Sequence, residues 1–136
     1  MTSDEFVDTD AKAYTVGYCP SEESQLEEYF RLVSEAPVLT REQELQLAYR
    51  VEEGDSEARD LLIHANQPLV VGMARRQADG KLVLLRLLQE GTLGLLRAVE
   101  AYDPSTGARF TEVANHWIED AIHRALSSEN HDHPRE

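Results

Sequence analysis

The chain has 136 residues, with 13 Lys and Arg against 26 Asp and Glu, a formal net charge of −13. That balance opposes gripping a nucleic-acid duplex by bulk charge, which takes a field of Lys and Arg to displace counterions, and it suits basic partner surfaces instead. The length and the 41% hydrophobic content fit one folded domain; apolar runs as short as Leu69–Val71 and Leu82–Leu85 exclude a membrane span, and a lone Cys19 excludes an internal disulfide or a cysteine-based zinc site.

In chain order, residues 1–21 read as an acidic, flexible tail without helical period. The tail has no basic flank followed by an apolar core, so it is not read as a secretory signal, and the expected address is cytoplasmic. Ser21 or Ser24 can cap a first helix whose Leu26, Tyr29, Phe30 and Val33 share one face, with Pro37 closing it. Thr40 and Gln43 form the Thr-x-x-Gln pattern of a capping box for a second helix that stops at Gly54. Asp55 caps a third helix with Ala58, Leu61, Leu62 and Ala65 inward. Asn66 and Pro68 predict a break and a restart, because proline is tolerated in a first turn and not in a helix interior. Leu69, Val70, Met73 and Ala74 carry the restarted helix toward Gly80.

The next helix, about residues 82–102, is the most apolar and holds Gly91 and Gly94. Each glycine there costs about 0.5–1 kcal/mol against alanine, so the pair predicts close backbone approach. The stretch Asp103-Pro104-Ser105-Thr106-Gly107 has turn chemistry, and Thr111 can cap a last helix that ends near residue 126. Residues 127–136 read as a second flexible tail. The expected fold is all-α: a single compact domain over 22–126 with about five to six helices and no strand.

The acidity is uneven. Residues 1–64 hold 16 acids and 5 bases, and residues 65–136 hold 10 acids and 8 bases. His131-Asp132-His133 is too weak a set to carry a metal site. No phosphate loop, zinc-protease motif or nucleophile elbow occurs, so neither an enzyme nor a cofactor is expected.

The most specific pattern spans the middle of the chain. Ala58-Arg59-Asp60-Leu61-Leu62-Ile63 leads to Asn66, Leu69-Val70-Val71 and Ala74-Arg75-Arg76. Then come Leu84-Leu85-Arg86-Leu87-Leu88-Gln89-Glu90-Gly91-Thr92-Leu93-Gly94-Leu95-Leu96-Arg97-Ala98-Val99, Tyr102-Asp103-Pro104, Arg109-Phe110-Thr111 and Trp117-Ile118. Over roughly residues 25–126 the chain resembles the core-binding, −10-reading helical domain of sigma-70 family transcription initiation factors. Pro37-Val38-Leu39-Thr40-Arg41-Glu42 and Glu53-Gly54-Asp55 resemble the helices that precede it.

The resemblance implies docking on the clamp helices of the beta-prime subunit of RNA polymerase core, through Arg86, Gln89, Glu90, Thr92 and Leu96, with Gly91 allowing the approach. It implies that Arg75, Arg76, Arg109, Phe110, His116, Trp117, Glu119, Asp120 and Arg124 stand at the positions facing promoter −10 DNA. The pattern is not complete. Arg86 replaces a usual aspartate. His116 replaces the first of two tryptophans, Val113 a tyrosine, and Ala108 another aromatic residue. Glu119 and Asp120 replace an Arg-Gln pair, and carboxylates aimed at phosphates oppose binding. The expected function is therefore polymerase binding in transcription initiation. The alternative is a degenerate mimic that binds polymerase or an anti-sigma protein without reading promoter DNA.

Overall fold

A computed structural model of the protein describes residues 21–132, with side chains through 128. The expected acidic tail and Cys19 lie outside the described residues, as do His133 and the end of the expected second tail. The elements are α1 (Glu22–Ser34), α2 (Arg41–Glu52), α3 (Ser56–Gln77), α4 (Lys81–Ala101), a 3-10 turn (Pro104–Thr106) and α5 (Phe110–Asp132). The fold is all-α, with no strand among the described residues.

Local chemistry sets most boundaries. Ser21, not Ser24, caps α1: its side-chain oxygen accepts from the Ser24 amide at 3.1 Å. The capping box of α2 is complete. Gln43 N–H donates to Thr40 Oγ1 at 3.1 Å, and Thr40 N–H donates to Gln43 Oε1 at 3.0 Å. Gly54 then adopts φ +93°, the left-handed turn that releases the chain from α2. Asp55 accepts from the amides of Glu57 and Ala58 and starts α3.

The expected break at Asn66–Pro68 is absent, and α3 runs through Pro68 as one helix. Proline removes one ladder hydrogen bond and crowds the preceding turn, at a cost of about 3 kcal/mol. Tertiary contacts on both sides hold the helix in line. Leu62 before the proline and Val70, Val71 and Ala74 after it are buried in the same core. Asn66 donates from Nδ2 to the Leu62 carbonyl at 2.8 Å, and His64 Nε2 lies 3.0 Å from the Leu32 carbonyl of α1. Two expected helices thus become one.

At the other end, α5 starts at Phe110 rather than after a Thr111 cap. The Arg109 carbonyl accepts from Glu112 N–H at 3.1 Å, which places Thr111 inside the first turn. The helix continues through Asp132, beyond residue 126 where the sequence ends it.

The core joins all five helices, and α4 and α5 pack most extensively against each other. Both glycines of α4 face inward. A Cβ on Gly91 would meet Val70 Cγ1 at 2.9 Å, and one on Gly94 would meet the Trp117 carbonyl oxygen at 2.7 Å. The predicted close approach is real, but it is internal. Gly91 is buried against α3 and α5 and offers no opening to an outside partner.

Candidate polymerase and nucleic-acid faces

Turning Gly91 and Gly94 inward turns the opposite side of α4 outward. Helical spacing places Leu82, Arg86, Gln89, Glu90, Leu93 and Leu96 on that side. Leu82 is 66% exposed and Leu93 44%, while Arg86, Glu90 and Leu96 are half-buried and Gln89 is exposed. The two exposed leucines are not singled out by the sequence reading. Only exposure separates them from the core leucines of the same helix.

Helix α1 borders this side. Gln89 Nε2 donates to Gln25 Oε1 at 3.4 Å, and Lys81 pairs with Glu23 near the start of both helices. Thr92 sits at the edge: its hydroxyl donates to the Leu88 carbonyl at 2.7 Å and contacts Tyr29. Burial raises the Tyr29 phenol above its ordinary value, against the Thr92 hydrogen bond.

The remaining candidates do not form one continuous surface. Arg75 turns toward α1, with its Cζ 5.3 Å from the centre of the Phe30 ring. Arg76 turns toward α5 and lines a cleft of about 210 Å³ with Met73, Gln77, Asn115, Glu119, Ile122 and His123. His116, Glu119, Asp120 and His123 line an adjoining recess on α5. Arg124 pairs with Asp120 one turn away. Trp117 is half-buried and packs against the core, with its backbone carbonyl pressed on Gly94.

Arg109 and Phe110 are engaged internally. Arg109 Nε donates to the Glu44 carboxylate at 2.8 Å; the Glu44 side chain is only 5% exposed. The Glu44 carboxylate holds the Arg109 guanidinium further above its already high value. Phe110 is fully buried, and its ring stands edge-on to Tyr102 at 5.3 Å between centroids. Glu44 carries no signal in the sequence that would mark it as a partner, because it lies 65 positions from Arg109. Among the described residues, no group of three or more His, Cys, Asp or Glu is placed to hold a metal ion, and no helix is long and apolar enough to cross a membrane.

Residues 62–131 match the family model for sigma-70 region 2, and residues 26–57 match that for sigma-70 factor region 1.2. The chain belongs to the sigma-70 family. It is 43% identical over 102 residues to RNA polymerase sigma factor RpoS of Coxiella burnetii, a match covering 75% of this chain and 29% of that relative. It is 41% identical over 101 residues to RNA polymerase sigma factor SigA of Clostridium acetobutylicum, covering 74% of this chain and 27% of that relative. The sigma-70 match therefore spans less than a third of the length of either relative. In sigma-70 terms, α1 and α2 carry the region 1.2 match, and α3 from Leu62, α4 and α5 carry region 2. The Glu44–Arg109 pair joins the two regions.

Proposed function

We propose that this sigma-70 domain binds core RNA polymerase and takes part in transcription initiation. The observation that carries the reading is the outward side of α4. Gln89 and Glu90 stand there between Leu82, Leu93 and Leu96, while both glycines of the helix are buried. A polar pair set among apolar side chains on a rigid helix suits a protein interface: the apolar groups supply buried area and the polar groups fix register. The partner this implies is the beta-prime subunit of the core enzyme. Arg86 lies on the same side and replaces a carboxylate, so its charge weakens docking on a basic site or redirects it.

The second surface is the outer side of α5 with Arg76. In the assembled complex it faces −10 promoter DNA, with Trp117 and His116 nearest the bases and Arg124 and Arg76 nearest the phosphates. Arg75 flanks it from α3. Phe110 contributes by packing the start of α5, and Arg109 shares its charge with Glu44. The exposed Glu119 and Asp120 support the alternative, in which the domain occupies polymerase without holding DNA itself or is held by an anti-sigma protein.

The deciding experiment is retention on core RNA polymerase of the wild type and of Gln89→Ala/Glu90→Ala. The wild type is retained and the variant is lost or greatly weakened. Failure of the wild type to bind overturns the reading. Capture of a −10 single-strand oligonucleotide by the wild-type complex, abolished by Trp117→Ala, separates the promoter-reading form from the mimic.

A further inference from the structure

Helix α1 runs beside the outward side of α4, and three contacts tie the two helices together in step. Glu23 pairs with Lys81, Gln25 Oε1 accepts from Gln89 Nε2 at 3.4 Å, and Tyr29 meets the Thr92 hydroxyl. Between them, Leu26 is buried in the core and pins α1 from beneath. Gln25 is half-buried on this anchored helix, whereas Gln89 is exposed. The two glutamines lie 64 positions apart, so only the packing of α1 on α4 brings them together.

We infer, on the reading that this side of α4 docks on core RNA polymerase, that Gln25 is a positioning residue for that docking. It holds the Gln89 amide so that the Gln89 carbonyl oxygen is the end presented to the core enzyme. A primary amide is a donor at one end and an acceptor at the other. An unrestrained glutamine on an exposed helix face samples both presentations and several rotamers, and an interface has to select one of them. Gln25 makes that selection before the partner arrives. By accepting from Nε2 it commits the donor end toward α1 and leaves Oε1 for the partner. Glu90, the next residue, is an acceptor as a carboxylate. The two neighbours together present oxygens, so the group opposite them on the polymerase is an N–H donor. Gln25 achieves this through Gln89, without a polymerase contact of its own.

The test titrates labelled full-length chain into core RNA polymerase at fixed ionic strength. The proteins are the wild type, Gln25→Leu, Gln25→Glu, Gln89→Leu and Gln25→Leu/Gln89→Leu. Gln25→Leu keeps the side-chain bulk and removes the acceptor, and it weakens binding about fivefold. Gln25→Glu keeps an acceptor oxygen toward Gln89 and binds no more weakly than the wild type. In the Gln89→Leu background, Gln25→Leu has no further effect, because the amide it positions is gone. That comparison also subtracts any cost to folding, which would appear in both backgrounds. Wild-type affinity in Gln25→Leu overturns the positioning role alone. So does an equal loss with and without Gln89, or a Gln25→Glu protein as weak as Gln25→Leu. No binding by the wild type overturns the docking of α4 on core enzyme and the role of Gln25 with it.

Discussion

Arg109 at the start of α5 donates to the buried Glu44 carboxylate of α2 at 2.8 Å, joining the two family regions of the chain through one ion pair. Glu44 has almost no contact with water, so it depends on this partner. Nearby, Arg41 reaches the Gly107 carbonyl at 3.4 Å, and Tyr102 donates from its hydroxyl to the Ala108 carbonyl. The loop that leads into α5 is therefore fastened from two sides.

Glu44→Ala is expected to destabilise the domain by about 1–3 kcal/mol, because a buried charge-assisted hydrogen bond is lost. Arg109→Ala is expected to cost more, since it strands the Glu44 carboxylate in the interior. Urea unfolding of both variants checks the order. Equal stability of the two and the wild type would show that the pair holds nothing.

Gly94→Ala places a Cβ 2.7 Å from the Trp117 carbonyl oxygen and 3.0 Å from Ala121 Cβ, where backbone must move. The helix-propensity gain of about 1 kcal/mol is outweighed by overpacking of about 1–3 kcal/mol. Gly91→Ala meets a side-chain methyl, Val70 Cγ1, and is expected to be milder. Thermal melts rank the two, and a Gly94→Ala protein as stable as the wild type would contradict the close contact.

Pro68 is exposed in the interior of α3. Pro68→Ala restores an amide that can donate to the His64 carbonyl, and a gain of about 1–2 kcal/mol is expected in urea unfolding. A loss would mean that the proline ring contributes packing the helix needs.

Asp55 is held below its ordinary value of 3.8, first by the Arg50 side chain and then by the Ala58 amide. A depressed carboxylate adds stability above its unfolded pKa and loses it as pH falls through the folded one. Asp55→Asn keeps the cap acceptor and removes the ion pair. The wild type is expected to melt higher than this variant at pH 5, with the difference lost as pH falls through the lowered folded-state pKa of Asp55. A gap that persists at low pH would assign the effect to the cap alone.

Arg86→Asp exchanges the sign of one charge on the outward side of α4. Its affinity for core RNA polymerase is expected to rise about tenfold, given a basic site on the partner. Titration of labelled protein into core enzyme measures it, and a weaker Arg86→Asp complex would show that Arg86 has been turned to a different contact.

The sequence by itself determined the all-α class, most of the helix boundaries and caps, and the family frame. Those features are local: Thr40 with Gln43, Asp55 with Ala58, and the apolar spacing each depend on residues within a turn or two. The two helix glycines also announced a close approach, because their propensity cost needs a compensating contact. Only the tertiary structure decided which way that approach points, turning Gly91 into the core and Gln89 out of it. It carried α3 through Pro68, since packing on both sides outweighs one lost hydrogen bond. It also divided the candidate DNA residues, sending Arg75 to Phe30, Arg109 to Glu44 and Phe110 into the core, while gathering Arg76 with Glu119 and His123. These partners lie far apart in the chain. Charge and burial at such positions come from packing, and one-dimensional spacing does not encode them.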